Sequence, residues 1–200
     1  MKIIFNLFFL MTLSFGFCQE KFDANDSNNY QKQLNKEFAD VLTSPLFTND
    51  LAKFKTLGFY PITEKFCVLA RIVKSKDEKP FEMLTSTKRR PLYIKYGEVS
   101  FVIDGNPFKL NVYQSVDYSS QKGHEDDLFL PFFDFTCGKE SYIGGRYLDL
   151  IAPKNDTVLI DFNKAYNPYC AYNHNYSCPK VPLENDLYIE IFAGVKKFKD

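Results

Sequence analysis

The chain has 200 residues, with 25 Lys and Arg set against 25 Asp and Glu. That balance provides no basic face of the kind nucleic acid or an anionic membrane requires, so neither is expected as a partner. The length suits one domain, and 21 Phe and 13 Tyr without any Trp suit strands, where rings pack well on a pleated surface.

The first 18 residues read as a secretory signal peptide. Lys2 supplies the positive start. Ile3 to Leu13 is apolar apart from Asn6 and Thr12, and is too short to span a bilayer comfortably. Gly16 and Cys18 are the small residues before a cut ahead of Gln19. The mature chain, 19–200, is therefore expected to be a single globular domain, periplasmic or secreted, with no transmembrane anchor after processing. A lipoprotein acylated at Cys18 is the lesser alternative, because Phe15 and Phe17 stand where that processing prefers a branched and a small residue. Removing Lys2 leaves 24 basic against 25 acidic residues, a net charge of −1.

Four cysteines come after the signal: Cys67, Cys137, Cys170 and Cys178. In an exported chain they read as two disulfides, with three possible pairings. Cys170–Cys178, a short clip, and Cys67–Cys137 are the favoured pairs. A buried free thiol at Cys67, which lies in an apolar run, is the competing reading.

Helical periodicity comes first in the chain. Tyr30, Leu34, Phe38, Val41 and Leu42 form one stripe, predicting a helix over Ser27–Leu42 that is capped by Ser27 and ended by Ser44-Pro45. A short second helix is expected over Asp50–Leu57. From Tyr60 the period becomes two. Strands are expected over Phe66–Val73, Phe81–Thr85, Leu92–Ile103, Phe108–Gln114, Leu128–Phe135, Arg146–Ile151, Thr157–Phe162 and Leu187–Phe192, with a polar loop over Tyr118–Asp127. Asp104-Gly105-Asn106 marks a hairpin between the third and fourth of these. Short strands after one or two helices define a mainly β (α+β) fold, an antiparallel barrel or sandwich-like domain.

Residues 161–185, DFNKAYNPYCAYNHNYSCPKVPLEN, have neither period. A polar loop this long inside a compact domain is functional, stapled, or both. This loop also carries a resemblance. With SPLF at Ser44–Phe47, FYPI at Phe59–Ile62, Tyr113-Gln114, LFLPFFDFTCGKESYIGGRYLDL at Leu128–Leu150 and Ala193-Gly194, it makes the chain similar to the domain of unknown function (DUF) 1684 family. The resemblance runs from about Tyr30 to Lys197. It implies a β-rich domain and positions of interest, but no activity. Ile143 departs from the family's usual three glycines before Arg146-Tyr147, and Phe133 stands where a basic residue is usual. Cys67, Cys137 and His174 are peculiar to this chain.

Gly144-Gly145-Arg146 could form a backbone nest for an anion, with the Arg146 fork matching carboxylate or phosphate. It could equally be a tight turn whose arginine pairs with Asp134, Asp149 or Asp161. Asp134, Asp149, Asp161 and Glu184 could include an acid–base pair, or each could brace its own turn. Cys170, His174 and Cys178 supply only three ligands, and nearby prolines make a helix doubtful, so no metal site is assigned. His124 lies in a charged loop. No cofactor is named by any motif.

The leading expectation is an exported domain binding a small polar or anionic ligand in a β-barrel pocket. Its lining would be Tyr113, Gln114, Tyr142, Arg146, Tyr147, Asp161, Asn163, Tyr166, Asn167, Glu184 and Asn185, with Asp134 beside them. The alternatives are a hydrolase using Asp134, Asp161 or Glu184 as base with Arg146 holding the anion, and a non-catalytic structural or interaction module.

Overall fold

The computed structural model describes residues 21–199, so the expected signal peptide and the Cys18 alternative lie outside the described residues. The chain begins with helix α1 (Ala24–Ala39). Asp23, not Ser27, caps it, accepting from the Asn25 N–H at 2.8 Å. Ser27 is instead buried, and with Gln31, Leu34 and Phe38 it forms the packed face. The helix stops before Val41 and Leu42, which are 78% and 89% exposed and take no part in the stripe expected of them. The reason is local. The Thr43 and Ser44 hydroxyls turn back onto the Glu37 and Phe38 carbonyls at 2.9 and 2.7 Å, satisfying the helix end. A one-turn helix α2 (Thr48–Leu51) replaces the longer one expected.

The strands come next: β1 (Cys67–Lys74), β2 (Phe81–Glu82), β3 (Leu92–Ile103) and β4 (Asn106–Ser115). A single helical turn α3 (Val116–Ser119) opens the loop that leads to β5 (Asp127–Asp134). Then come β6 (Arg146–Ile151), β7 (Thr157–Asp161) and β8 (Asp186–Leu187). They form one curled, half-barrel sheet in the order β6-β5-β4-β3-β1-β7, with β2 on β3 and β8 on β5. All pairs are antiparallel except β5 with β8. Asp104 and Gly105, at φ 51° and 78°, make the two-residue hairpin turn between paired Ile103 and Asn106.

Alternation decides what each face of the sheet does. In β5, Leu128, Leu130, Phe132 and Asp134 are buried, while Asp127, Phe129 and Phe133 are only partly covered. In β6, Arg146, Leu148 and Leu150 fall on the buried face. That face joins Ile72, Val99, Phe101, Leu110, Val112 and Ile160 in one apolar core. The interior of the curl is therefore filled with side chains. Among the described residues two cavities, of about 810 and 220 Å³, are lined mainly by residues outside this core.

The strand expected over Leu187–Phe192 shrinks to two residues. Beyond Leu187 scattered backbone bonds, such as Val195 N–H to the Ala165 carbonyl at 2.9 Å, and side chains hold the chain in place of a strand ladder. Arg146 donates to the carbonyls of Ile191, Ala193 and Val195, and the Ile191 N–H donates to Asp134 Oδ2 at 2.8 Å.

Candidate functional site

The expected ligand-binding residues separate into two groups. The larger group braces the fold. Arg146 is wholly buried, with Nη2 3.0 Å from Asp134 Oδ1 and the guanidinium between the Tyr60 and Phe132 rings. The two glycines before it are there for packing. Gly145 has φ 84°, and a Cβ there would lie 2.8 Å from the Phe132 carbonyl oxygen. The sequence Gly144-Gly145-Arg146 is thus a tight turn feeding a core arginine and not an anion nest. Asp134 is sealed with Arg146, its Oδ2 also accepting from Thr136 Oγ1 at 2.8 Å. Neither group can meet a solute from solvent.

Asp161 is also internal. It accepts from Ser27 Oγ at 2.6 Å and from Asn163 Nδ2 at 2.7 Å, which pins α1 to the end of β7. Asn163 is buried and grips both backbone groups of Thr63. Asn167 donates to the Lys196 carbonyl at 3.0 Å. Asn185 replaces a missing stretch of ladder. Strands β4 and β5 pair only at Tyr113↔Phe129, and the Asn185 amide bridges the Asn111 N–H, the Asn111 carbonyl and the Pro131 carbonyl. Tyr113 is buried with its hydroxyl on Glu184 at 3.1 Å, and Glu184 itself is exposed. Gln114 donates to the Glu125 carbonyl at 2.8 Å.

Tyr147 and Tyr166 belong to the second group. They line a cleft of about 810 Å³ on the outer face of β5 and β6, opposite the core. Its floor is the odd-numbered face of those strands: Asp127, Phe129, Tyr147, Asp149 and Ile151. Tyr30, Gln33 and Glu37 of α1 form one wall. Tyr166, Tyr169, Tyr176 and Ser177 from the irregular segment form another. Tyr93, Ser115, Asp117 and Arg89 complete the rim. The rings run as a chain, with centroids 5.7 Å apart for Tyr93–Phe129, 4.7 Å for Phe129–Tyr147 and 5.8 Å for Tyr147–Tyr166. The irregular segment is therefore a wall of the cleft, held by its own short 3₁₀ turns and by the Tyr147↔Tyr166 bridge.

Asp149 is the chemical centre of the cleft. Solvent reaches it through the mouth, yet protein surrounds it on most sides. The Tyr166 hydroxyl lies 2.9 and 3.0 Å from its two oxygens. Its carboxyl is raised above the ordinary carboxylate range, first by burial and then by the charge of Asp127, against the lowering hydrogen bond from Tyr166. Asp127 sits two residues from Phe129, the cross-strand partner of Asp149, and so shares its face. The His124 ring holds Asp127, Nδ1 to Oδ2 at 2.6 Å. Tyr30, Tyr93, Tyr166 and Tyr169 are all raised above the usual phenol range, first by burial, with the Asp149 charge contributing at each.

All four cysteines are free, so neither expected disulfide is formed. Cys67, opposite Asp161 in β1, and Cys137, whose thiol faces Asp134 Oδ1 at 3.4 Å and Ser141, have separate surroundings. Cys170 and Cys178 do meet, the Cys170 N–H lying 3.1 Å from Cys178 Sγ. The thiol of Cys170 is lowered chiefly by a hydrogen bond from Cys178, which is itself raised by that bond and by burial. Together with Tyr142, whose hydroxyl is 3.8 Å from Cys170 Sγ, they line a smaller cavity of about 220 Å³. His174 is turned away onto Phe47, with ring centroids 5.0 Å apart. Among the described residues no group of three or more His, Cys, Asp or Glu is placed to hold a metal ion. None of their helices is long and apolar enough to cross a membrane.

The fold and this outer-face cleft are those of a β-rich domain of no assigned activity. The family model for a protein of unknown function, DUF1684, matches residues 52–196, and the chain belongs to that family. The chain is also similar to the solution NMR structure of an uncharacterized protein of Haloarcula marismortui. The TM-score is 0.68 and the identity 28%, over 86% of this chain and 92% of that one. No curated protein matches.

Proposed function

We propose that this DUF1684 protein is exported as one domain, to the periplasm or beyond, and binds a small polar ligand in the cleft on the outer face of β5 and β6. The observation that carries this reading is the Asp149–Tyr166 pair, an accessible carboxylate framed by tyrosines at the floor of a cavity of about 810 Å³. A cavity of that size with a few convergent polar groups is the usual form of a small-molecule site. Arg146 takes no part in the binding. The motif around it serves the core.

Export rests on the apolar segment after Lys2 and on the even cysteine number of the mature chain. In an oxidising compartment the adjacent Cys170 and Cys178 thiols would close to a disulfide and stiffen the cleft wall.

A hydrolase is the second reading, and one observation favours it. Asp149 has the raised carboxyl that a general acid needs, beside a second carboxylate, Asp127. Those two would take the roles expected of Asp134, Asp161 and Glu184. Native mass spectrometry of freshly purified protein tests the binding reading. A small adduct should be present on wild type and absent from Asp149→Asn. Turnover on an ester, phosphoester or glycoside panel, abolished by the same substitution, would favour the hydrolase instead.

A further inference from the structure

Resting on the outer cleft as the binding site, we propose that its ligand is a small organic cation, an ammonium compound received by tyrosine rings and the Asp149 carboxylate. Charge is the first observation. The ionisable side chains lining the cleft, apart from the tyrosines, are Glu37, Asp117, Asp127, Asp149 and Arg89, together with the Cys178 thiol. Arg89 is committed, donating from Nη2 to the Ser177 carbonyl at 2.8 Å and from Nε to Ser177 Oγ at 3.2 Å. Asp127 is held by His124. Asp149 has only the neutral Tyr166 hydroxyl. The cleft therefore carries an excess of negative charge, and among its carboxylates Asp149 is paired with no cation. This disfavours the anionic ligand that the sequence suggested.

Ring placement is the second observation. Tyr93, Phe129, Tyr147 and Tyr166 form a chain of ring contacts along the cleft, ending at Tyr166, whose hydroxyl meets Asp149. Tyr30 on α1 and Tyr169 line the same cleft as this carboxylate. Ring faces attract a cation and do so more strongly when it is desolvated. Tyrosine rings around one carboxylate suit a substituted ammonium better than a metal ion, because such a cation brings apolar surface to the rings and needs few oxygen ligands. A neutral polyol would gain from the rings and hydroxyls but would leave the Asp149 charge unpaired.

Choline is the test probe, with glucose and acetate as neutral and anionic controls. Binding is read by calorimetry and by tyrosine fluorescence, which no Trp obscures. Choline should bind, glucose and acetate at least about tenfold more weakly, and Asp149→Asn should weaken choline by about tenfold. An amide spectrum of the variant matching wild type outside the cleft separates this loss from misfolding, and Tyr93→Leu should also weaken choline. If glucose or acetate binds in the cleft and choline does not, the cation is wrong while the site stands. If choline binds equally well to wild type and Asp149→Asn, the assignment to Asp149 is overturned. If none of the three binds to folded protein, the cation and the cleft reading fall together.

Discussion

Arg146 and Asp134 sit diagonally across the β5–β6 register, Nη2 to Oδ1 at 3.0 Å, with both side chains completely enclosed. The pair is a joint. Arg146 collects three carbonyls of the C-terminal segment and Asp134 fixes the Ile191 N–H, so that segment is held without a strand. Removing one partner leaves an uncompensated buried charge. Arg146→Ala should cost about 3–5 kcal/mol, measured by denaturant unfolding. Arg146→Lys should restore little, because an ammonium cannot reproduce the planar fork. A near-neutral Arg146→Ala would contradict the assignment.

Asn185 should behave as part of the β4–β5 interface. Its side chain makes three hydrogen bonds, two to Asn111 and one to Pro131, and it is fully buried. Asn185→Ala should cost about 1–3 kcal/mol by leaving those backbone groups unpaired. Amide exchange should quicken at Asn111 before it does so in the β3–β4 hairpin.

Asp149 should carry a stability cost that reflects its place in the cleft. Its folded carboxyl is raised, so between the unfolded and folded values the native state holds more protons. Stability from this group is accordingly greatest at low pH and falls as pH rises through the folded value, the reverse of an ion-paired carboxylate. Asp149→Asn should therefore raise the melting temperature at neutral pH, by about 1–2 °C after solvent screening, and the gain should vanish in acid. A drop in melting temperature at neutral pH would show that Asp149 braces the fold.

Cys170 should be the first cysteine alkylated at neutral pH, since the Cys178 hydrogen bond lowers it. Cys67 should be slow, because burial above all pushes its thiol up to about 12. Under glutathione disulfide, Cys170 and Cys178 should join, and the loop clip should add about 2–3 kcal/mol, model-dependent. Non-reducing peptide mapping reads the pairing. A Cys67–Cys137 bridge in the folded protein would contradict the separate surroundings of those two thiols.

Unbroken alternation found several strands but not all, since Leu187–Phe192 alternates and yet only Leu187 of it lies in a strand. Leu92–Ile103 and Arg146–Ile151 are found with the expected bounds. The same alternation already held the key to the site. In RYLDLI, Arg146 shares a face with Leu148 and Leu150, while Tyr147 shares one with Asp149. Arg146 was nevertheless expected to face a ligand, because charge at a glycine turn outweighed period. Its partners, the Ile191 and Ala193 carbonyls, lie 45 and 47 positions away, and no local pattern reveals them. The cleft walls were hidden for the same reason. Tyr30 and Glu37 read as parts of a helix, and Arg89 and Tyr93 as parts of a distant strand and its approach. The docking of α1, through Ser27 on Asp161, Gln31 on Asn163 and the packing of Leu34 and Phe38, brings Tyr30 and Glu37 to the cleft. Asp149 was visible as a carboxylate, but nothing in the sequence set it apart from Asp134 or Asp161.

The most direct test of the account is amide chemical-shift mapping of the protein with choline added in excess. The outer-cleft site predicts perturbations on Phe129, Tyr147 and Asp149 of β5 and β6, on Tyr93, and on Tyr166 and Tyr169, with Asp134, Arg146 and the C-terminal segment unchanged. Perturbations centred on Arg146 and residues 191–195, or a cleft left unperturbed by choline, glucose and acetate alike, would contradict it.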